Sequence, residues 1–75
     1  MTPKQYAQKI YRDASMRWCY ELSHEKNELT AKSICDYICD EVLGYMGADR
    51  GVDFWKEVKW FINNYDHNGL YNTKL

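Results

Sequence analysis

The chain has 75 residues, which allows one domain, 1–75, with a core that is small for its surface. Its formal net charge of −1 argues against a general nucleic-acid binder, because such proteins draw affinity from many Lys and Arg side chains on phosphates. Three Trp, seven Tyr and two Phe offset the short length, since each ring can bury about 150–250 Å².

The N-terminus, MTPKQYAQK, lacks the apolar segment of a secretory signal, and no apolar run approaches the roughly 20 residues of a membrane span. Cys19, Cys35 and Cys39 are an odd number without the spacing of a disulfide framework. We therefore predict no membrane association and three reduced thiols, in a protein of the cytoplasm.

Thr2 and Pro3 predict the start of helix 1, because Thr is a good N-cap and Pro is favoured at the first helical position. The helix is predicted over about 3–25. Met16 and Tyr20 fall on a face separate from the predicted core stripe. That stripe comprises Ala7, Ile10, Tyr11, Ala14, Trp18 and Leu22.

The segment SHEKN, at 23–27, predicts a turn, and either Asn27 or Thr30 would cap helix 2, predicted over about 28–46. Its acidic side chains, Asp36 and Asp40, lie opposite a wide apolar face. That face comprises Ala31, Ile34, Cys35, Ile38, Val42, Tyr45 and Met46.

Helix 3 is predicted over about 53–65, after a connection at 47–52 and with Asp53 or Asp49 as its cap. Trp60 points about 120° away from the start of the core stripe, among polar side chains. The stripe itself comprises Phe54, Val58, Phe61, Ile62 and Tyr65. The segment DHNG, at 66–69, predicts a turn into a short tail in which Leu70 and Tyr71 fold back on the core. These elements predict an all-α, compact three-helix bundle with short loops and a short C-terminal tail.

Zinc is the first site that the sequence suggests. Cys35 and Cys39 lie four residues apart on helix 2, and Cys19 or His24 could complete a tetrahedral set of ligands. The CxxC spacing of structural zinc sites is absent, and free Cys is usually a small hydrophobic residue of the core. We therefore predict three core thiols, with no metal and no cofactor.

Calcium and DNA binding are each suggested by one weak pattern. Residues 64–69 begin like a calcium-binding loop, but the twelfth position is Leu75, where a bidentate Glu is needed. Helices 2 and 3 could form a helix-turn-helix that presents Lys56, Lys59 and Asn63 to bases. The acidic second helix opposes DNA, and the sequence has no basic arm to contact phosphates. We predict neither activity.

Catalysis is also predicted to be absent. His24 and His67 are the only histidines, and both fall in predicted polar turns. A nucleophile would need a base within hydrogen-bond reach and a third group to orient it, which no spacing here supplies. We predict that the protein is not an enzyme.

Apolar side chains that the predicted core does not need favour a protein partner, since Trp, Tyr and Met are enriched in protein interfaces. The predicted anchors are Trp60, Tyr20 and Met16. An acidic patch would add charge complementarity to a basic partner, including one that binds nucleic acid. The predicted patch is Asp36, Asp40 and Glu41.

In overall style the chain is similar to small standalone inhibitors encoded by phages and mobile elements: short, aromatic-rich, near-neutral or acidic, and without active-site chemistry. The resemblance is one of class and covers no specific stretch. It implies a protein that occupies a surface of a larger machine, such as a host defence or transcription complex, in the host cytoplasm. We predict a homodimer or a subunit of such a complex.

An alternative hypothesis is a nucleotide or nucleic-acid binding module that uses helix 1. Tyr6 would stack on a base, while Lys9 and Arg12 would contact phosphates, most simply across a subunit interface.

Overall fold

The computed structural model describes residues 1–46 and 51–71, and every regular element within them is a helix. The helices are α1 (Pro3–Arg17), α2 (His24–Met46), α3 (Val52–Asn64) and α4 (His67–Tyr71). α1, α2 and α3 contact one another pairwise, and α4 packs against α1. The predicted all-α class is confirmed. Most of the predicted 47–52 connection, the end of the tail and the Met46 side chain lie outside the described residues.

The start of α1 is as predicted. The Thr2 hydroxyl accepts a hydrogen bond from the Gln5 amide at 3.1 Å, and the Gln5 side chain accepts one from the Thr2 amide at 2.9 Å. This reciprocal pair satisfies two of the amides that a helix leaves without partners at its start. Pro3 follows the cap, and its lack of an amide hydrogen costs no hydrogen bond there, because the first amides of a helix have no partner within it.

The predicted end of helix 1 near residue 25 is wrong, because α1 ends at Arg17. The side-chain amide of Asn27 donates to the carbonyl oxygens of Ser15, at 3.1 Å, and Cys19, at 2.8 Å. A side chain from α2 thus satisfies carbonyls that another turn of α1 would otherwise have used. The predicted turn at 23–27 is also wrong, because α2 begins at His24 and the Asn27 backbone amide already donates to the Ser23 carbonyl at 2.8 Å.

The early end of α1 changes which side chains reach the core. Trp18 and Leu22, both predicted to be core residues, are 63% and 40% exposed, whereas Cys19 between them is buried. Tyr45, predicted on the core face of α2, is 88% exposed. Trp60 is exposed, as its position off the core stripe predicted.

The buried core combines small and aliphatic side chains with one ring, Tyr11, and partly buried rings pack around it. Val58 and Ile62 of the predicted α3 stripe are fully buried, while Phe54, Phe61 and Tyr65 pack partly buried against them. The other buried apolar residues are Ala7, Tyr11, Ala14, Cys19, Ala31, Cys35, Cys39 and Leu70. All three thiols are free and belong to this core, as predicted. α3 begins after Gly51, so Asp53 lies in the first helical turn instead of at the cap.

Residues 67–71, predicted as turn and tail, instead form α4. The Asp66 carboxylate accepts a hydrogen bond from the Gly69 amide at 2.8 Å, so the residue that signalled a turn begins a helix. A Cβ atom on Gly69 would stand 3.0 Å from the Tyr65 ring, and glycine allows this close approach. Leu70 is fully buried, consistent with its predicted return to the core.

Candidate functional site

Exposed apolar side chains are frequent around the connection between α1 and α2. Ten large apolar side chains are exposed among the described residues, and six of them lie around the connection between α1 and α2. These six, called the apolar end below, are Met16, Trp18, Tyr20, Leu22, Leu29 and Tyr71. Leu22 and Tyr71 line one cleft with His24, and Leu29 lines an adjoining hollow with the same histidine. Met16, Trp18 and Tyr20 precede Leu22 closely in the sequence.

Polar side chains hold this region in place. The Ser15 hydroxyl donates to the Asn27 side-chain oxygen at 2.5 Å, while the Asn27 amide binds two carbonyls of the α1 end. The Leu22 amide donates to the Cys19 carbonyl at 3.0 Å, which closes the connection into a turn. The exposed side chains therefore project from a backbone that is hydrogen-bonded at several points, which lowers the backbone entropy that binding would cost.

The cleft beside the apolar end has a volume of about 350 Å³ and contains both histidines. Their ring centroids are 4.8 Å apart, and the planes meet at 71°. Tyr71 also stacks on His67, with 5.1 Å between centroids and 20° between planes. The Tyr11 hydroxyl lies 2.6 Å from His67 Nδ1. α4 therefore brings together two histidines that are far apart in sequence.

Tyr11 is fully buried, and burial, with the Glu28 carboxylate as the next contribution, raises the pKa of its hydroxyl. The hydroxyl therefore remains protonated at neutral pH and keeps both a donor and an acceptor beside His67. Since the roles of the two groups depend on the histidine tautomer, this hydrogen bond can hold either neutral form of the ring.

The three predicted apolar anchors belong to two different surfaces. Met16 and Tyr20 lie at the apolar end, whereas the Trp60 ring contacts Phe61 and Tyr65 at centroid distances of 5.1 and 6.3 Å. Trp60 is on α3, which contacts α2 near Asp36, about 18 Å along the helix axis from the start of α2. A hollow of about 440 Å³ adjoins Trp60, with Lys56 and Glu57 among its walls.

Two of the three predicted acidic residues have partners on α3. Lys59 pairs with Asp36 at 3.7 Å and contacts Asp40 more closely, and Asn63 donates to Asp36 at 2.8 Å. The hydrogen bond to Asp40 raises the pKa of Lys59, which stays charged. Glu41 is exposed. The α2–α3 contact thus already uses most of the acidic patch that the sequence assigned to a basic partner.

The residues of the alternative nucleotide site are also engaged within the fold. Tyr6 meets Phe54 and Trp55 edge to face, at centroid distances of 5.9 and 5.2 Å, as part of the α1–α3 contact. Lys9 pairs with Asp13 at 3.3 Å, and Arg12 is partly buried nearby. A base stacked on Tyr6 would have to compete with this aromatic packing.

The suggested zinc ligands are not assembled. Across residues 1–46 and 51–71, no group of three or more His, Cys, Asp or Glu side chains is placed to hold a metal ion. Burial raises the pKa of the Cys35 thiol to about 12 and that of the Cys39 thiol to about 11. Both groups are therefore neutral thiols, which are poor nucleophiles and poor metal ligands.

Iodoacetamide at pH 8 should modify the cysteines of the folded protein about tenfold or more slowly than those of the chain in guanidinium chloride. The reason is that Cys19, Cys35 and Cys39 are buried and that folding keeps the last two protonated. Mass spectrometry of timed samples measures each site, with the denatured chain as control. Rapid labelling of Cys35 in the folded state would contradict the buried position.

Two features of this site were not predicted from the sequence. Trp18 and Leu22 were assigned to the core because their spacing continues the apolar stripe of a helix predicted to reach about residue 25. The meeting of His24 and His67 has no local signal, since it depends on α4 returning to α1.

None of the described helices combines the length and apolar character needed to cross a membrane. Comparison of the chain with protein-family models, curated proteins and solved structures found no match.

Proposed function

We propose that this protein is a non-enzymatic docking protein, in which a three-helix bundle supplemented by α4 presents the apolar end to a protein partner. The observation that carries the proposal is the exposure of Met16, Trp18, Tyr20 and Leu22 within seven consecutive residues. Single exposed apolar residues are normal on a protein surface, whereas four of them within one short connection favour an interface.

The chemistry of the apolar end fits the usual anatomy of an interface. Its Trp and Tyr side chains provide large rings with few torsions to immobilise, and these residue types most often dominate binding energy. Charged side chains of both signs surround them in the sequence, namely Arg17, Glu21, Glu25 and Lys26. The partner is therefore expected to offer an apolar groove with a polar rim of mixed charge, and strong salt dependence is not expected.

The partner is proposed to be a larger macromolecular complex, in line with the resemblance of this chain to small phage and mobile-element inhibitors. A second copy of the chain is the simplest competing occupant of the same surface. The α1 nucleotide site has less support, because Tyr6 already packs against two rings of α3.

Trp18→Ala should weaken partner binding by about 2 kcal/mol or more, which is roughly a 30-fold loss of affinity, with little change in Tm. Trp18 is 63% exposed, so its removal leaves the core intact. The matched control is Tyr37→Ala, an equally exposed aromatic residue away from the apolar end. Its partner affinity should equal that of the unmodified chain.

The measurement begins with native mass spectrometry of the untagged chain and both variants, which shows whether a second copy occupies the surface. Quantitative mass spectrometry then compares the proteins retained from source or host cells by each immobilised variant. The proposed partner is retained by the unmodified chain and by Tyr37→Ala but lost with Trp18→Ala, and purified partner gives the affinities. Equal retention by all three would refute the proposed surface.

A further inference from the structure

We infer that His24 and His67 form a two-histidine site for a divalent transition-metal ion of the Ni²⁺ or Zn²⁺ class, at the cleft between the α1–α2 connection and α4. The inference stands on the geometry of the cleft and does not depend on the proposed docking function. These are the two histidines of the chain, and both line the same cleft of about 350 Å³.

The separation of the two rings suits a chelate. Metal–nitrogen bonds of about 2.1 Å place each ring centroid about 3.2 Å from the ion, so coordination angles of about 90–110° separate the centroids by about 4.5–5.2 Å. The observed separation is 4.8 Å. The rings meet edge to face, so one ring must turn to aim a nitrogen at the ion. His24 is exposed and can make that turn.

One ring nitrogen of His67 is already engaged in a hydrogen bond, as is usual for metal-binding histidines. Its Nδ1 lies 2.6 Å from the Tyr11 hydroxyl, which leaves Nε2 as the nitrogen for a ligand. In the metal-bound form, Nδ1–H donates to the Tyr11 oxygen and the lone pair on Nε2 binds the ion. Stacking against Tyr71 limits rotation of the same ring. One ligand is therefore pre-positioned and the other is adjustable.

The side chains near His24 include carboxylates, which favour a cation, and the described residues supply few ligands beyond the two histidines. Glu25 and Glu28 line the hollow that adjoins His24, and Glu28 also pairs with Lys32 at 3.9 Å. In the described part of the chain no third His, Cys, Asp or Glu completes a cluster, so water would have to fill the remaining coordination positions. Imidazole is a suitable ligand for Ni²⁺, Cu²⁺ and Zn²⁺, and the buried, neutral thiols of Cys35 and Cys39 do not compete.

Isothermal titration of the untagged chain with Ni²⁺ tests the inference, and Ni²⁺ is preferred to Cu²⁺ because it does not oxidise thiols under these conditions. One ion per chain should bind, with a Kd in the micromolar range. His24→Ala and His67→Ala should each raise the Kd about tenfold or more, because a single imidazole remains in either variant. Asn68→Ala, which alters an exposed α4 residue beside His67, is the matched control and should bind like the unmodified chain.

Far-UV circular dichroism confirms that each variant is folded. If His67→Ala unfolds, His24→Ala still decides the question, because that side chain is exposed and its loss leaves the core intact. Binding by His24→Ala as tight as that of the unmodified chain would overturn the inference. So would the absence of binding to the unmodified chain at millimolar Ni²⁺.

Discussion

Replacing Leu70 by Ala is expected to lower the free energy of unfolding by about 3 kcal/mol, and therefore Tm by about 12–24 °C. Leu70 is fully buried, although it lies in a helix of only five residues near the end of the chain. The loss combines the apolar surface no longer buried with the cavity that remains. A domain of this size has a total stability of only about 4–11 kcal/mol, so the effect is large.

The second consequence of Leu70→Ala is a loosened α4. The Gln8 side chain donates to the Gly69 carbonyl at 3.1 Å, and Leu70 supplies the buried apolar contact that holds the same segment against α1. Thermal unfolding followed by circular dichroism measures the effect, and the matched control is Leu29→Ala. Leu29 is exposed, so its variant should unfold within a few degrees of the unmodified chain. Similar Tm values for the two variants would show that α4 does not contribute to the core.

Asn27→Ala is expected to lower the free energy of unfolding by about 2 kcal/mol, and Tm by about 8–16 °C. The side chain makes three hydrogen bonds, to the Ser15 hydroxyl and to the carbonyls of Ser15 and Cys19. Each is worth about 1 kcal/mol net, and the side chain is only partly buried, which reduces the sum.

Two control variants show whether the loss of stability in Asn27→Ala comes from its particular hydrogen bonds. In Asn64→Ala, the lost amide donates only to the Trp60 carbonyl of its own helix, and a change of less than about 0.5 kcal/mol is expected. Asn27→Asp keeps an acceptor for Ser15 but removes both amide hydrogens, so it should be at least as damaging as Asn27→Ala. Chemical unfolding in urea gives the three values. A stable Asn27→Asp variant would show that the two carbonyls of the α1 end do not need this donor.

The Asn27 prediction also bears on the proposed function. This side chain holds the connection from which Trp18 and Tyr20 project, so its loss should weaken docking even below Tm, where the helices persist. Trp18→Ala should weaken docking without a change in Tm. Comparison of the two variants therefore distinguishes the effect of an ordered connection on docking from the effect of a single contacting side chain.

The all-α class and the start of α1 could be predicted from sequence because their causes are local. Thr2, Pro3 and Gln5 form a cap within a few residues of one another. The spacing of Val58 and Ile62 predicted the buried face of α3, and the same periodicity placed Trp60 outside it. The core role of the cysteines followed from composition and from the absence of metal-site spacing.

The apolar end and the histidine cleft were decided by tertiary structure. Residues 18–22 include no residue that ends a helix. However, the helix propensity of each residue is worth only tenths of a kcal/mol. The hydrogen bonds from Asn27 to Ser15 and Cys19 outweigh it and end α1 at Arg17. Likewise, DHNG fits both a turn and a capped helix, and burial of Leu70 selects the helix that brings His67 to His24. Contacts between distant residues decide such cases, because a sequence pattern reports only the preferences of neighbouring positions.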